Sequence, residues 1–325
     1  MKDPILVVKN LKVSYKMKGH IIRAVRGVSF KLVEGESLCI VGESGCGKST
    51  LGYAISLSLP PNAVIEEGEI VVSGVNILKE DPVTVRGRLV SLVPQDVGAA
   101  LSPFNTMGEV FADVLSSARG NKIDSFKVAS GILESLGFSD PHRILRAYPH
   151  ELSGGMLQRV LIALALSLNP KVIIADEPTS MVDASLRKGI VDLINTIRSS
   201  YNVTTIIITH DIAITPLLCD ITAVMYAGKI VEIGRSKSII ENPLHPYTKM
   251  LLKSIPRIRR PVELRPIPGL PPDLSGFIKG CPFAPRCPSI IGDICNNVEP
   301  KGYRVDDRLV YCHLYVGGSH GPISA

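Results

Sequence analysis

Eight consecutive residues, Gly42-Glu43-Ser44-Gly45-Cys46-Gly47-Lys48-Ser49, carry the spacing G-x-x-x-x-G-K-S. Glycines at these positions let successive backbone N–H groups turn toward one anion, and a helix starting at the lysine adds its positive end. That chemistry suits a nucleotide triphosphate: Lys48 bridges the β- and γ-phosphates, while Ser49, followed by Thr50, holds Mg²⁺. A second group of polar residues stands at the ends of apolar runs. Asp176 and Glu177 follow one run, where Asp176 is expected to hold the magnesium water shell and Glu177 to take a proton from water. His210 follows another, placed to hydrogen-bond a γ-phosphate or orient that water. Ser153-Gly154-Gly155 opens a long apolar helical pattern, with a serine to cap it and room for an anion at its start. Tyr15 offers a ring that can stack on adenine.

The elements needed to position these groups are legible. Ser37 to Val41 reads as a strand entering the phosphate loop, and Thr50 to Ile55 as the helix leaving it. Residues 5–13 and 25–32 read as strands by their β-branched content, as do 68–74 between glycines, 89–93 ending at Pro94-Gln95, 171–175 and 204–209. Residues 223–231 read as a hairpin turning at Ala227-Gly228. Thr106-x-x-Glu109 is a capping box ahead of Val110, Phe111, Val114 and Leu115, and a second helix spans 125–136. A helical subdomain is therefore expected at about residues 96–165, inside a strand-and-helix alternation that implies an α/β fold with a parallel sheet.

A chain of 325 residues with 45% hydrophobic content can bury one large core and an appendage. No apolar run approaches the roughly 18 residues of a membrane span, and Met1-Lys2-Asp3-Pro4 has no leader character, so the expectation is a soluble, cytoplasmic chain. A net charge of +6 is too modest to demand nucleic acid or an anionic membrane. The basic group Lys253, Arg257, Arg259, Arg260 and Arg265 reads as a solvated face. Thirteen of the twenty-four prolines lie after residue 240, which predicts an extension that wraps a surface rather than continuing the core. Four of the seven cysteines, Cys281, Cys287, Cys295 and Cys312, cluster there. Disulfides are not expected in a reducing compartment, extreme thermophiles excepted, and four converging thiolates suit an iron–sulfur cluster or zinc.

Taken in order, these motifs resemble the ATP-binding cassette (ABC) superfamily: a Walker A loop at 42–49, a Q-loop at Gln95, a signature at 152–156, a Walker B strand at 172–177, a D-loop at Asp183 and an H-loop at His210. The resemblance implies a P-loop NTPase core with an antiparallel β subdomain and a helical subdomain. It assigns Tyr15 to adenine, Gln95 to Mg²⁺ and the attacking water, Glu177 to the general base, His210 to the γ-phosphate, and Ser153, Gly154 and Gly155 to ATP held by an opposed subunit. Met156 stands where the family usually has glutamine, and Ser180-Met181-Val182-Asp183 replaces the commoner Ser-Ala-Leu-Asp. The stretches 93–105, 242–248 and 267–272 are similar to dipeptide and oligopeptide importers, and the insert read at Pro60–Gly68 leans to their D-type subunit. Membership implies ATP hydrolysis driving import of peptides or other oligomeric solutes such as oligosaccharides. The alternative is a soluble cassette ATPase acting on ribosomes or DNA. The implied partners are a second ATPase subunit, two permeases and, indirectly, an extracellular solute-binding protein, with no nucleic acid. The implied location is the cytoplasmic face of the membrane. The importer subfamily carries this cysteine pattern, some members with a 4Fe-4S cluster, which favours the cluster over zinc or free thiols. The implied layout is a nucleotide-binding domain over 1–240 and an extension over 241–325.

Overall fold

The computed structural model describes residues 3–119, 124–178, 184–255 and 266–316. Asp183 with its neighbours 180–182, and Arg257, Arg259, Arg260 and Arg265, lie outside the described residues.

Two long strands, β1 (Pro4–Met17) and β2 (His20–Val33), open the chain as an antiparallel hairpin that turns at Lys18-Gly19. β3 (Ser37–Val41) is buried at every position and leads through the glycine-rich loop into α1 (Lys48–Ile55). β4 (Ala63–Val72) pairs with β1, and β5 (Val75–Asn76) with β4. A single helical turn, α2 (Pro82–Val85), precedes β6 (Val90–Val93). Helices α3 (Met107–Arg119), α4 (Ser125–Ser135), α5 (Pro141–Arg146) and α6 (Gly154–Ser167) follow. The alternation resumes with β7 (Val172–Asp176), α7 (Ala184–Tyr201), β8 (Thr204–Thr209), α8 (Thr215–Leu218), β9 (Ile221–Tyr226) and β10 (Lys229–Arg235). The last part adds α9 (Ser236–Glu241), α10 (Pro246–Lys253), α11 (Asp293–Asn297), β11 (Gly302–Val305) and β12 (Arg308–Tyr311).

These strands make two sheets. One is four-stranded and antiparallel, in the order β2-β1-β4-β5. The other is eight-stranded, in the order β11-β12-β10-β9-β3-β8-β7-β6. Pairing is parallel from β9 through β3, β8 and β7 to β6, and antiparallel from β9 outward. The central strands β3 and β8 are buried without alternation because both faces are covered. Leu51, Ala54 and Ile55 of α1 join Leu6 and Val8 of β1 and Leu38 and Ile40 of β3 in the principal core, each large side chain contributing roughly 2 kcal/mol by burial. The helix lies so close to the sheet that a Cβ on Gly52 would stand 2.7 Å from Ile208 Cδ1. Helices α3–α6 share another core through Phe111, Leu133, Leu145 and Leu157. The capping box closes as expected: the Thr106 N–H donates to Glu109 Oε2 at 2.7 Å, and the Glu109 N–H donates to the Thr106 hydroxyl at 3.3 Å.

Three expectations need correction. The strand read at 68–74 begins earlier, at Ala63, and takes in most of the insert at 60–68, pairing with β1, Ala63 opposite Tyr15 and Ile65 opposite Val13, as its β-branched residues favour. The extension does more than wrap a surface. β12 pairs with β10 through Glu232 opposite Val310 and Ile233 opposite Leu309, so the sheet continues where β10 would otherwise expose an open edge. Finally, Cys39 in β3 and Cys219 after α8 form a disulfide across 180 residues, with Cα atoms 5.6 Å apart. Both are buried, so the bond sits inside the core, shielded from reductants.

Of the seven cysteines, Cys46, Cys281, Cys287, Cys295 and Cys312 are free. Protein denatured without reductant should therefore titrate five thiols, and seven after reduction; seven before reduction would remove the Cys39–Cys219 bond.

Candidate active site

The central parallel strands end level with one another: Val41 pairs with Thr209, Ile208 with Asp176, and Ala175 with Val93. Adjacent strands β3, β8, β7 and β6 thus present, along one carboxyl edge, the phosphate loop, His210, Asp176 with Glu177, and Gln95. In open parallel sheets this edge is where ligands bind.

The loop's shape depends on its glycines. Gly47 sits at φ 100°, and a Cβ there would meet the Ala24 carbonyl oxygen at 2.1 Å. Lys48 is buried, and its ammonium donates to the carbonyl oxygens of Gly42 at 2.9 Å and Glu43 at 3.0 Å. The cation is thereby parked on the loop itself, where an incoming phosphate can take it over. Cys46 lies 3.8 Å from Lys48 Nζ; burial pushes its thiol up and the ammonium pulls it partly back. Ser44 and Gly45 are exposed at the tip. Tyr15 donates to or accepts from the Thr50 hydroxyl at 3.1 Å, which fixes its ring beside the first turn of α1.

Asp176 is 1% exposed, and among the described residues neither of its carboxylate oxygens has a hydrogen-bond partner of ordinary geometry. Burial raises its proton affinity, and the nearby Ser49 hydroxyl lowers it in part. Two orphaned buried carboxylate oxygens beside a serine hydroxyl are a donor set for a hard cation, so these residues fit Mg²⁺. Glu177 adopts φ 50°, a left-handed conformation that costs a non-glycine residue on the order of 1 kcal/mol. Its N–H donates to the Ile208 carbonyl at 2.9 Å, and its Oε2 lies 2.7 Å from His210 Nδ1. Glu177 is 11% exposed and His210 61%. The imidazole therefore steadies the acid from the solvent side. Gln95 is exposed just beyond β6. Ser153 caps α6 by accepting the Met156 N–H at 3.4 Å, and Ser153 and Gly154 are exposed, so the signature faces outward.

Sequence reasoning missed how the extension reaches this site. The Glu43 N–H donates to the Tyr247 hydroxyl of α10 at 2.9 Å, and Arg286 pairs with the Glu43 carboxylate at 2.7 Å and 2.9 Å. No local signal marks contacts separated by 204 and 243 residues. Burial, offset in part by a hydrogen bond from the Phe283 backbone and reinforced by the charges of Cys312, Cys287 and Cys295, pushes Cys281 up to about 11. Yet among the described residues no three His, Cys, Asp or Glu side chains are arranged to hold a metal ion. As placed, the thiols do not form a cluster or zinc ligand set.

Residues 25–180 match the family model described as ABC transporter, and residues 231–295 match that of the oligopeptide/dipeptide transporter C-terminal region. The chain is 41% identical over 319 residues to the dipeptide transport ATP-binding protein DppD of Bacillus subtilis, covering 96% of this chain and 95% of the relative. It is 38% identical over 313 residues to the oligopeptide transport ATP-binding protein OppD of Salmonella typhimurium, covering 95% and 93%. Among solved structures it is similar to the ATP-binding cassette MJ0796, a dimer in a post-hydrolysis state bound to ADP and phosphate, with a TM-score of 0.62 and 28% identity over 71% of this chain and 98% of that one.

Because burial raises Asp176, acidification restores its proton and removes its negative charge at pH values above those of an ordinary aspartate, about 4. The half-saturating Mg²⁺ concentration for ATP turnover should rise from pH 7.5 to pH 5.5, and Asp176→Asn should raise it by about tenfold or more at both, flattening the dependence. Superimposable Mg²⁺ titrations of the parent chain at the two pH values would contradict this.

Proposed function

Because this chain belongs to the ATP-binding proteins of dipeptide and oligopeptide ABC transporters, and is thereby an ATPase, we propose that it powers the import of peptides, or of related oligomeric solutes, through a membrane permease pair. The observation that carries this reading is the carboxyl edge on which four neighbouring strands bring phosphate loop, orphaned acid, strained acid and histidine together. No helix among the described residues is long and apolar enough to cross a membrane, so we place the chain peripherally, on the cytoplasmic face, with permeases supplying the passage.

In the proposed cycle Tyr15 stacks on adenine, and Lys48 leaves the Gly42 and Glu43 carbonyls for the β- and γ-phosphates. Ser49, Asp176 and Gln95 would hold Mg²⁺, which supplies neutralisation of the developing phosphate charge. Glu177 takes a proton from water as that water bonds to the γ-phosphorus and the bond to the β-phosphate oxygen breaks. His210, already on Glu177, holds the base in register and stands next to the γ-phosphate. The outward-facing Ser153, Gly154 and Gly155, with Asp183, would serve ATP bound by a second ATPase subunit placed head to tail. ATP then favours the closed pair, and its cleavage lets the pair open. The proposed division is a nucleotide-binding domain over 1–240, with its helical part at about 96–165, and an extension over 241–325. Cys281, Cys287, Cys295 and Cys312 are the proposed ligands of an iron–sulfur cluster, with zinc as the alternative; their clustering within the extension supports this reading, which requires their side chains to close inward.

Glu177→Gln should bind ATP, lose turnover by about a hundredfold or more, and elute with ATP and Mg²⁺ as a dimer. A monomeric variant with parental turnover would overturn the assignment. Anaerobically purified chain should be coloured and contain iron and labile sulfide; a colourless protein containing stoichiometric zinc would select the alternative.

A further inference from the structure

Glu43 is the one acid inside the phosphate loop. A carboxylate there faces a chemical conflict, since the loop exists to gather a polyanion and a nearby negative charge opposes it. The fold resolves the conflict from 243 residues away. Arg286 ends a 3₁₀ turn, Ala284–Arg286, held between Cys281 and Cys287: the Ala284 N–H donates to the Cys281 carbonyl at 3.0 Å, and the Cys287 N–H to the Ala284 carbonyl at 3.2 Å. The turn aims a guanidinium that is only 5% exposed. All five of its N–H donors find acceptors. Two go to the Glu43 carboxylate in a bidentate pair, at 2.7 Å and 2.9 Å. The others go to the Pro268 carbonyl at 2.8 Å, the Tyr226 hydroxyl at 3.2 Å and the Ile267 carbonyl at 3.4 Å. The Tyr226, Tyr247 and Phe283 rings pack together at 4.6 to 5.3 Å around this pair, and Tyr247 also accepts the Glu43 N–H. A guanidinium so completely committed has no freedom to serve a ligand itself. Its effect is to cancel one charge and fix one turn.

We propose that Arg286 is a positioning residue for ATP binding: it neutralises Glu43 and fixes the first turn of the phosphate loop, making the cysteine-bearing extension a working part of the nucleotide site. The proposal rests on the ATPase reading of that loop. Failure of that reading shows as no turnover in the parent chain, whereas failure of the clamp leaves parental turnover intact.

The test compares purified full-length parent, Arg286→Gln, Glu43→Gln and the double variant, reading KM and kcat for ATP and direct binding of a fluorescent ATP analogue with Mg²⁺. Arg286→Gln leaves Glu43 uncompensated and should raise KM by about tenfold with a smaller change in kcat, a gap that narrows as salt rises. Removing the carboxylate as well should recover most of that loss, to within about threefold of the parent. A double variant as impaired as Arg286→Gln, or an Arg286→Gln variant with parental KM, would overturn the proposal, because a simple structural staple is not repaired by deleting its second half. Should Arg286→Gln fail to fold, Glu43→Gln alone decides. With the guanidinium unopposed beside the phosphates, it should bind the analogue more tightly than the parent, and equal or weaker binding would refute the charge argument.

Discussion

A triphosphate must be held by backbone N–H groups that no side chain obstructs, and that requirement governs the rest of the molecule. A loop built to expose its own amides can do little to hold itself in shape beyond the Lys48 bonds to the Gly42 and Glu43 carbonyls. Its conformation is enforced from outside: by β3, buried along its whole length, by the Ala24 carbonyl against Gly47, and by the Gly228 N–H on the Cys46 carbonyl at 2.9 Å. Tyr247 and Arg286 complete the frame. A motif of eight residues is thus supported by groups drawn from nearly the whole chain, which explains why the loop can be so open and still be fixed.

The same edge shows how one strand end yields two different acids. Successive residues on a strand point to opposite sides. Asp176 goes inward and loses water, with the Ser49 hydroxyl beside it, whereas Glu177 leaves the strand in a left-handed turn and meets His210. The first environment calls for a cation, and the second holds a carboxylate ready beside solvent. Adjacent positions therefore give two carboxylates two different environments without needing different residue chemistry, which suits the proposed division between metal binding and proton transfer.

What could be read from the sequence follows from the range of each interaction. The capping box at Thr106 and Glu109, the buried strands at 37–41 and 204–209, and the turn at Ala227-Gly228 are local, and their patterns are visible in a few residues. The acids and histidine were recognisable because strand ends place them and the phosphate loop gives them a purpose. Three features were not legible. Pairing of β12 with β10, the Cys39–Cys219 bond and the Arg286–Glu43 pair each join segments at least 70 residues apart, and nothing in either segment names its partner. Proline density suggested a loose wrapping for residues that in fact finish the sheet, because proline marks turns well but is silent about the strands between them. For the cysteines, spacing told of proximity and not of geometry: the thiols lie near enough to sense one another without forming a ligand shell.

The terminal hairpin gives the large sheet an unusual border. Beyond β10 lie β12 and then β11, a strand of four residues whose Arg304 is exposed. So brief a margin, carrying a cation, offers a neighbouring molecule little backbone to zip onto. At this border, copies crowded together must meet through side-chain surfaces, which spares it the strand-by-strand stacking that a longer, bare fringe invites.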